Sequence, residues 1–172
     1  MLSFVDLFCG GGFGARGAVR AGGKPILGVD AWKLATDTYL ANFPQAVVLQ
    51  KPIEDLDPYA LSRKYKPDVL LTSPECTAHS IARGSKPGSE KSRETAINII
   101  PWVDAMKPQW VIVENVNRMK RWDRHDDLIV SLKSLGYMVS DLFLNAAEFG
   151  TPQSRKRMFL VCDRGGRAIS PL

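Results

Sequence analysis

Cysteine and histidine are scarce in this 172-residue chain. The three cysteines, Cys9, Cys76 and Cys162, lie far apart, and no C-x-x-C pair occurs. One of them must stay unpaired in a monomer, which excludes a disulfide framework and favours a reducing, cytoplasmic setting. Two histidines, His79 and His125, cannot build a His-rich metal site, so no metal is expected. No apolar run approaches the ~20 residues of a membrane span, so no membrane partner is expected either. The start, Met1-Leu2-Ser3-Phe4-Val5-Asp6, lacks a basic region and meets a charge at once, which does not fit a signal peptide. There is no internal repeat, low-complexity tract, linker or basic tail.

What is present is ordinary for a globular domain. Hydrophobic residues make up 45% and charged residues 24%, so disorder, collagen and coiled coil are poor fits. The length suits a single domain with a substantial core. Lys plus Arg (23) exceeds Asp plus Glu (18), and the surplus is spread along the chain. Such a balance suits a polyanionic partner without proving one.

Short β-rich runs alternate with amphipathic stretches. Strands are expected over 2–8, 25–30, 46–49, 68–71, 110–113, 137–144 and 156–162. Helices are expected over 13–21, 32–42, 57–65, 92–106 and 126–135. Asp57 is placed as an N-cap with Pro58 at the first helical position. Pro101 is expected to kink or break the helix of 92–106. Residues 81–92, rich in Gly, Pro, Ser and Lys, read as a mobile loop. Repeated strand–helix units of this spacing imply an α/β domain with a largely parallel sheet. Ligands of such sheets lie beyond the carboxyl ends of the strands. Four groups fall there: a Gly-rich turn, Asp30, Pro74-Glu75-Cys76 and Glu114-Asn115.

Each group has a functional and a structural reading. Gly12-Phe13-Gly14-Ala15-Arg16-Gly17 fits G-x-G-x-x-G between a strand and a helix, where glycines let the backbone approach a cofactor closely. Glycines also serve plain turns. Asp30 can accept from a ribose diol or cap the next helix. A nicotinamide cofactor fits this much, but Asp30 follows the glycines sooner than the ~20 residues of the dinucleotide fingerprint, so a nucleoside cofactor without a pyrophosphate is equally open. Cys76 is either a small buried hydrophobe or, with Glu75, Thr77, His79 and Ser80 around it, a nucleophile. Cys9 and Cys162 lie in or beside strand runs and read as core. Glu114 suits acid–base work or the amidine-like edge of a base; alternatively it is a capping carboxylate. On a strand, Arg155 and Arg157 share one face and suit phosphate or carboxylate, unless they only keep an edge strand soluble.

Taken in order, these segments resemble the cytosine-5 DNA methyltransferase family. The resemblance rests on Phe4-Val5-Asp6-Leu7-Phe8-Cys9-Gly10-Gly11-Gly12, Pro74-Glu75-Cys76, Val113-Glu114-Asn115-Val116, and the segment from Asn145 to Arg157 with its paired arginines. It covers essentially the whole chain. It implies a Rossmann-like class I methyltransferase fold, a mostly parallel central sheet with helices on both faces. It also implies S-adenosylmethionine as cofactor, held by Asp6, Phe8, Gly10, Gly12, Gly14, Asp30, Ala31, Pro74 and Asn115. Cys76, Glu114, Arg155 and Arg157 are the implied catalytic residues. Cys76 would add to C6 of a flipped-out cytosine in double-stranded DNA, Glu114 would hold N3 and the exocyclic amine, and the arginines would steady the base, Glu114 or a phosphate. The basic residues Arg83, Lys86, Lys91 and Arg93, and a second cluster at Arg118, Lys120, Arg121 and Arg124, read as phosphate contacts or solvated faces. Family membership further suggests a bacterial, archaeal or phage-encoded protein, or a nuclear one in a eukaryote.

The chain departs from the family pattern at several points. Glu75 stands where the family has Pro, Thr77 where it has Gln, and His79 where it has an aromatic. A carboxylate beside Cys76 disfavours the thiolate unless it turns away. Lys51-Pro52-Ile53 stands where an Asp near the adenine is usual. The target-recognition region and final family segment are absent from these 172 residues, which points to one catalytic domain over 1–172 that is either truncated or dependent on a second chain for recognition. Two other readings stay open: a non-catalytic module that binds S-adenosylmethionine or DNA, and a tRNA cytosine-5 methyltransferase.

Overall fold

A computed structural model describes residues 1–74, 96–117, 119 and 124–170. Among them, seven strands form one sheet: β1 (Ser3–Leu7), β2 (Lys24–Asp30), β3 (Val47–Gln50), β4 (Val69–Thr72), β5 (Trp110–Val116), β6 (Met138–Asn145) and β7 (Lys156–Asp163). The helices are α1 (Phe13–Arg20), α2 (Lys33–Asn42), α3 (Pro58–Ser62), α4 (Ile100–Met106) and α5 (His125–Ser134). The strand order is β3-β2-β1-β4-β5-β7-β6. β1 to β5 pair in parallel, and β7 runs antiparallel between β5 and β6.

Side chains alternate across each strand, and helices cover both faces. On one face Val5, Leu7, Leu27, Val29, Leu70, Val111, Val113 and Leu160 form the larger core with Trp102 of α4 and Leu128 and Leu132 of α5. On the other, Phe4 packs with Ala15 of α1 and Tyr39 of α2, beside Cys9, Phe43 and Ala46. Continuous apolar strands with two buried faces are what a parallel sheet requires.

Local signals account for most element ends. Asp57 accepts from the N–H groups of Tyr59 and Ala60 at 2.9 and 3.2 Å, with Pro58 at the head of α3. That helix is shorter than expected, ending at Ser62. Pro101 falls where the α-helix begins, which fits the expected break rather than a kink. It sits in the first turn of α4, behind a 3₁₀ turn at Ile97–Ile99, where a missing N–H costs nothing. The expected loop over 81–92, and the expected helix start at 92, lie outside the described residues. β1 is pinned at its start because the Ser3 N–H and hydroxyl both donate to Asp68, at 2.7 and 2.9 Å.

Trp102 is fully buried and among the largest side chains of the main core. Trp102→Ala is expected to destabilise the domain by about 3–5 kcal/mol, read as a lower midpoint of urea unfolding at unchanged slope.

Candidate active site

The carboxyl ends of β1, β2, β4 and β5 share one edge of the sheet because these strands are parallel. β7 runs the other way, so its first residues, Lys156 and Arg157, reach the same edge. Val116 of β5 lies opposite Arg157, and Glu114 lies two residues before it, on the same face. The Arg157 Nε donates to Glu114 Oε1 at 2.9 Å, and both side chains are roughly a quarter exposed. This pair leaves part of each group open to a ligand.

Arg155 behaves differently. It immediately precedes β7, so only Arg157 of the pair lies on the strand. Its backbone N–H donates to Asn145 Oδ1 at 2.9 Å, its carbonyl accepts from the Ala146 N–H at 3.0 Å, and its side chain is exposed.

At the end of β1 the chain turns sharply. Phe8 takes φ 56°, a left-handed conformation that a non-glycine residue adopts at a cost of about 1–2 kcal/mol. Its ring packs on the larger core, and the Cys9 N–H is held by the Val29 carbonyl at 3.0 Å. Gly12 follows at φ 90°, and a Cβ there would lie 2.6 Å from the Phe43 ring. At Gly10 and Gly14 a Cβ would meet nothing within 4 Å, so this backbone is open to a ligand.

Asp30, at the end of β2, ties the loop to the next turn. Its Oδ2 accepts from the Gly10 N–H at 2.8 Å and its Oδ1 from the Trp32 N–H at 2.9 Å. A carboxylate has lone pairs left for a hydroxyl after two such bonds. Ala31 is exposed beside it. Tyr39 was not anticipated from sequence. Its ring lies under Gly28, where a Cβ would sit 2.9 Å away, and contacts the Gly12 position as well. The signal available was an aromatic on an amphipathic stretch, which reads as core.

Asp6 is buried behind the loop, and its Oδ2 has no hydrogen-bond partner among the described residues. Burial, and then the charge of Asp30, push its carboxyl up to about 8. Burial likewise pushes the Cys162 thiol up to about 12, and burial with Asp6 and Asp30 raises that of Cys9. Neither is a usable nucleophile. Cys76, Glu75, Thr77, His79, Ser80, Arg83, Lys86, Lys91, Arg93, Arg118, Lys120 and Arg121 lie outside the described residues. Arg124 sits at the head of α5 beside Asp127, at 3.5 Å.

Pro74, at the end of β4, is buried, and its carbonyl accepts from Asn115 Nδ2 at 3.1 Å. No group of metal-ligating side chains occurs among the described residues.

The sequence profile of the C-5 cytosine-specific DNA methylases matches residues 2–171. The chain belongs to this family. It is similar to the type II methyltransferase M.HgiDI of Herpetosiphon aurantiacus, 32% identical over 168 residues, covering 94% of this chain and 52% of that protein. It is also similar to M.HhaI of Haemophilus parahaemolyticus, 34% identical over 171 residues, covering 95% of this chain and 49% of that protein. The chain thus spans about half the length of the curated relatives it matches. Among solved structures, Spodoptera frugiperda DNMT2 aligns over all of this chain and 52% of its own, with a TM-score of 0.80 at 23% identity. That likeness establishes the class I methyltransferase fold. Family and fold together imply S-adenosylmethionine as cofactor.

Asp6 gives this methylase domain a pH signature. Folded, its carboxyl keeps a proton that the unfolded chain releases near pH 4, so the stability present at low pH is lost as pH rises through about 8. Asp6→Asn is expected to flatten that fall, giving a melting temperature above the native domain's at pH 8 and a smaller difference at pH 5.

Proposed function

We propose that this domain transfers a methyl group from S-adenosylmethionine to C5 of a cytosine flipped out of double-stranded DNA. The observation that carries this reading is the Glu114–Arg157 pair, 2.9 Å apart, at the edge where β4 hands the chain to Pro74 and then Cys76. Cytosine C5 is a poor nucleophile. Addition of the Cys76 thiolate at C6 makes C5 enamine-like. Glu114 holds N3 and the exocyclic amine, and favours the ring form that accepts the thiolate. Arg157 keeps that carboxylate in place, and Arg155 is left for a phosphate or the base. The cofactor supplies the methyl group as a sulfonium electrophile. Loss of the C5 proton then expels the Cys76 thiolate by β-elimination and frees the enzyme. Covalent catalysis of this kind divides one hard step into easier ones.

On the cofactor side, Phe8, Gly10, Gly12, Gly14, Asp30, Ala31 and Pro74 form the wall, with Asp6 behind it. Asp30 accepts the ribose hydroxyls while its bonds to Gly10 and Trp32 hold the loop in shape. Asp30→Ala is expected to weaken S-adenosylhomocysteine binding at least tenfold by calorimetry, equivalent to ~1.4 kcal/mol. Unchanged affinity removes Asp30 from the site.

The decisive test offers mixed-sequence duplexes containing 5-fluorocytosine together with S-adenosylmethionine. Fluorine cannot leave as a proton does, so the covalent intermediate accumulates. We expect an adduct stable in denaturing gels, lost in Cys76→Ser and reduced at least a hundredfold in rate in Glu114→Gln. An adduct that forms only when a second polypeptide is added identifies that chain as the source of target recognition. No adduct from folded, cofactor-bound protein in either arrangement overturns Cys76 as the nucleophile.

A further inference from the structure

Glu114 and Asn115 are neighbours on β5, so their side chains leave opposite faces of the sheet. Glu114 turns to Arg157. Asn115 is 3% exposed, and both ends of its carboxamide are engaged. The Val116 N–H donates to Oδ1 at 2.8 Å, which fixes the orientation of the amide. The amide nitrogen is thereby directed to the Pro74 carbonyl, 3.1 Å away and 41 residues earlier in the chain.

The strand end beside it is held from the other side too. The Ser73 N–H donates to the Leu7 carbonyl at 3.3 Å, and the Pro74 ring fixes its own φ. The chain therefore leaves the sheet from a point set by β1, by a proline ring and by Asn115. Cys76 is two residues further on, at most roughly 7 Å of extended backbone.

We propose that Asn115 is a positioning residue for the nucleophile rather than a cofactor contact. It anchors the arm that carries Cys76 to the strand that carries Glu114. One strand then bears Glu114 and also holds Pro74, the residue from which the chain runs on to Cys76. This rests on the reading of Cys76 as nucleophile and Glu114 as the base-holding group. A misplacement of about 1 Å in such a pair is enough to cost two orders of magnitude in rate.

The test is N115D. The replacement keeps the shape of the side chain and its acceptor for the Val116 N–H, but sets a carboxylate oxygen against the Pro74 carbonyl. We expect single-turnover adduct formation with 5-fluorocytosine duplexes to slow at least tenfold. The affinities for S-adenosylhomocysteine and for DNA should stay within twofold. Lowering the pH should narrow the gap to the native protein, because a protonated carboxyl donates to Pro74 again; a merely structural defect has no such recovery. N115A, which removes the donor without repulsion, should slow the same step without pH recovery, and it decides the matter if N115D does not fold. Native adduct rates in the folded variants overturn the positioning role alone. Loss of S-adenosylhomocysteine affinity in step with the rate returns Asn115 to the cofactor site. No adduct in the native protein overturns the positioning role together with the nucleophile reading.

Discussion

The site depends on the direction of one strand. β7 runs against β5, and only that reversal brings Arg157 to the edge where the parallel strands end. Had β7 been parallel, the arginine would lie at the opposite end of the sheet, and Glu114 would stand alone in a half-buried position. An exposed ion pair contributes ~0–1 kcal/mol to stability, so the Glu114–Arg157 contact is poorly explained as a fold element. Its value lies in orientation: a carboxylate held by one oxygen presents the other in a fixed direction.

The Gly-loop edge follows the same logic with different parts. Strain at Phe8, the open backbone at Gly10 and the bridging Asp30 are separate local facts. They form one unit because β1 and β2 are paired in parallel, which places the Gly loop beside Asp30 without any sequence proximity between them. Tyr39 then supplies the floor. An aromatic ring fits there because position 28 has no side chain.

Much of this was legible from sequence because the period of the apolar residues marks strands and helices, and Asp57-Pro58 marks a helix start by its own chemistry. The family resemblance pointed to Glu114, the Gly loop and the paired arginines. What stayed hidden was relational. Strand direction leaves no local trace, so β7 could not be seen as antiparallel. Pro101 reads equally as a kink or a break, and only the start of α4 at Ile100 decides between them. Arg155 and Arg157 look equivalent in a string of letters, yet a strand begins between them, and one reaches Glu114 while the other is held by its backbone. Asn115 looked like one more member of a motif until Pro74 came within reach of it.

The two cores are unequal. The side under α1 and α2 holds few large residues, chiefly Phe4, Tyr39 and Phe43, whereas the other carries Trp102 and many leucines. Local opening free energies follow buried apolar contact, so the Gly loop rests on the cheaper half of the molecule to unfold. Any ligand that binds only the folded state adds ~2.7 kcal/mol at a hundred times its dissociation constant. A ligand seated on the Gly loop therefore stabilises the half of the sheet that has least apolar contact of its own.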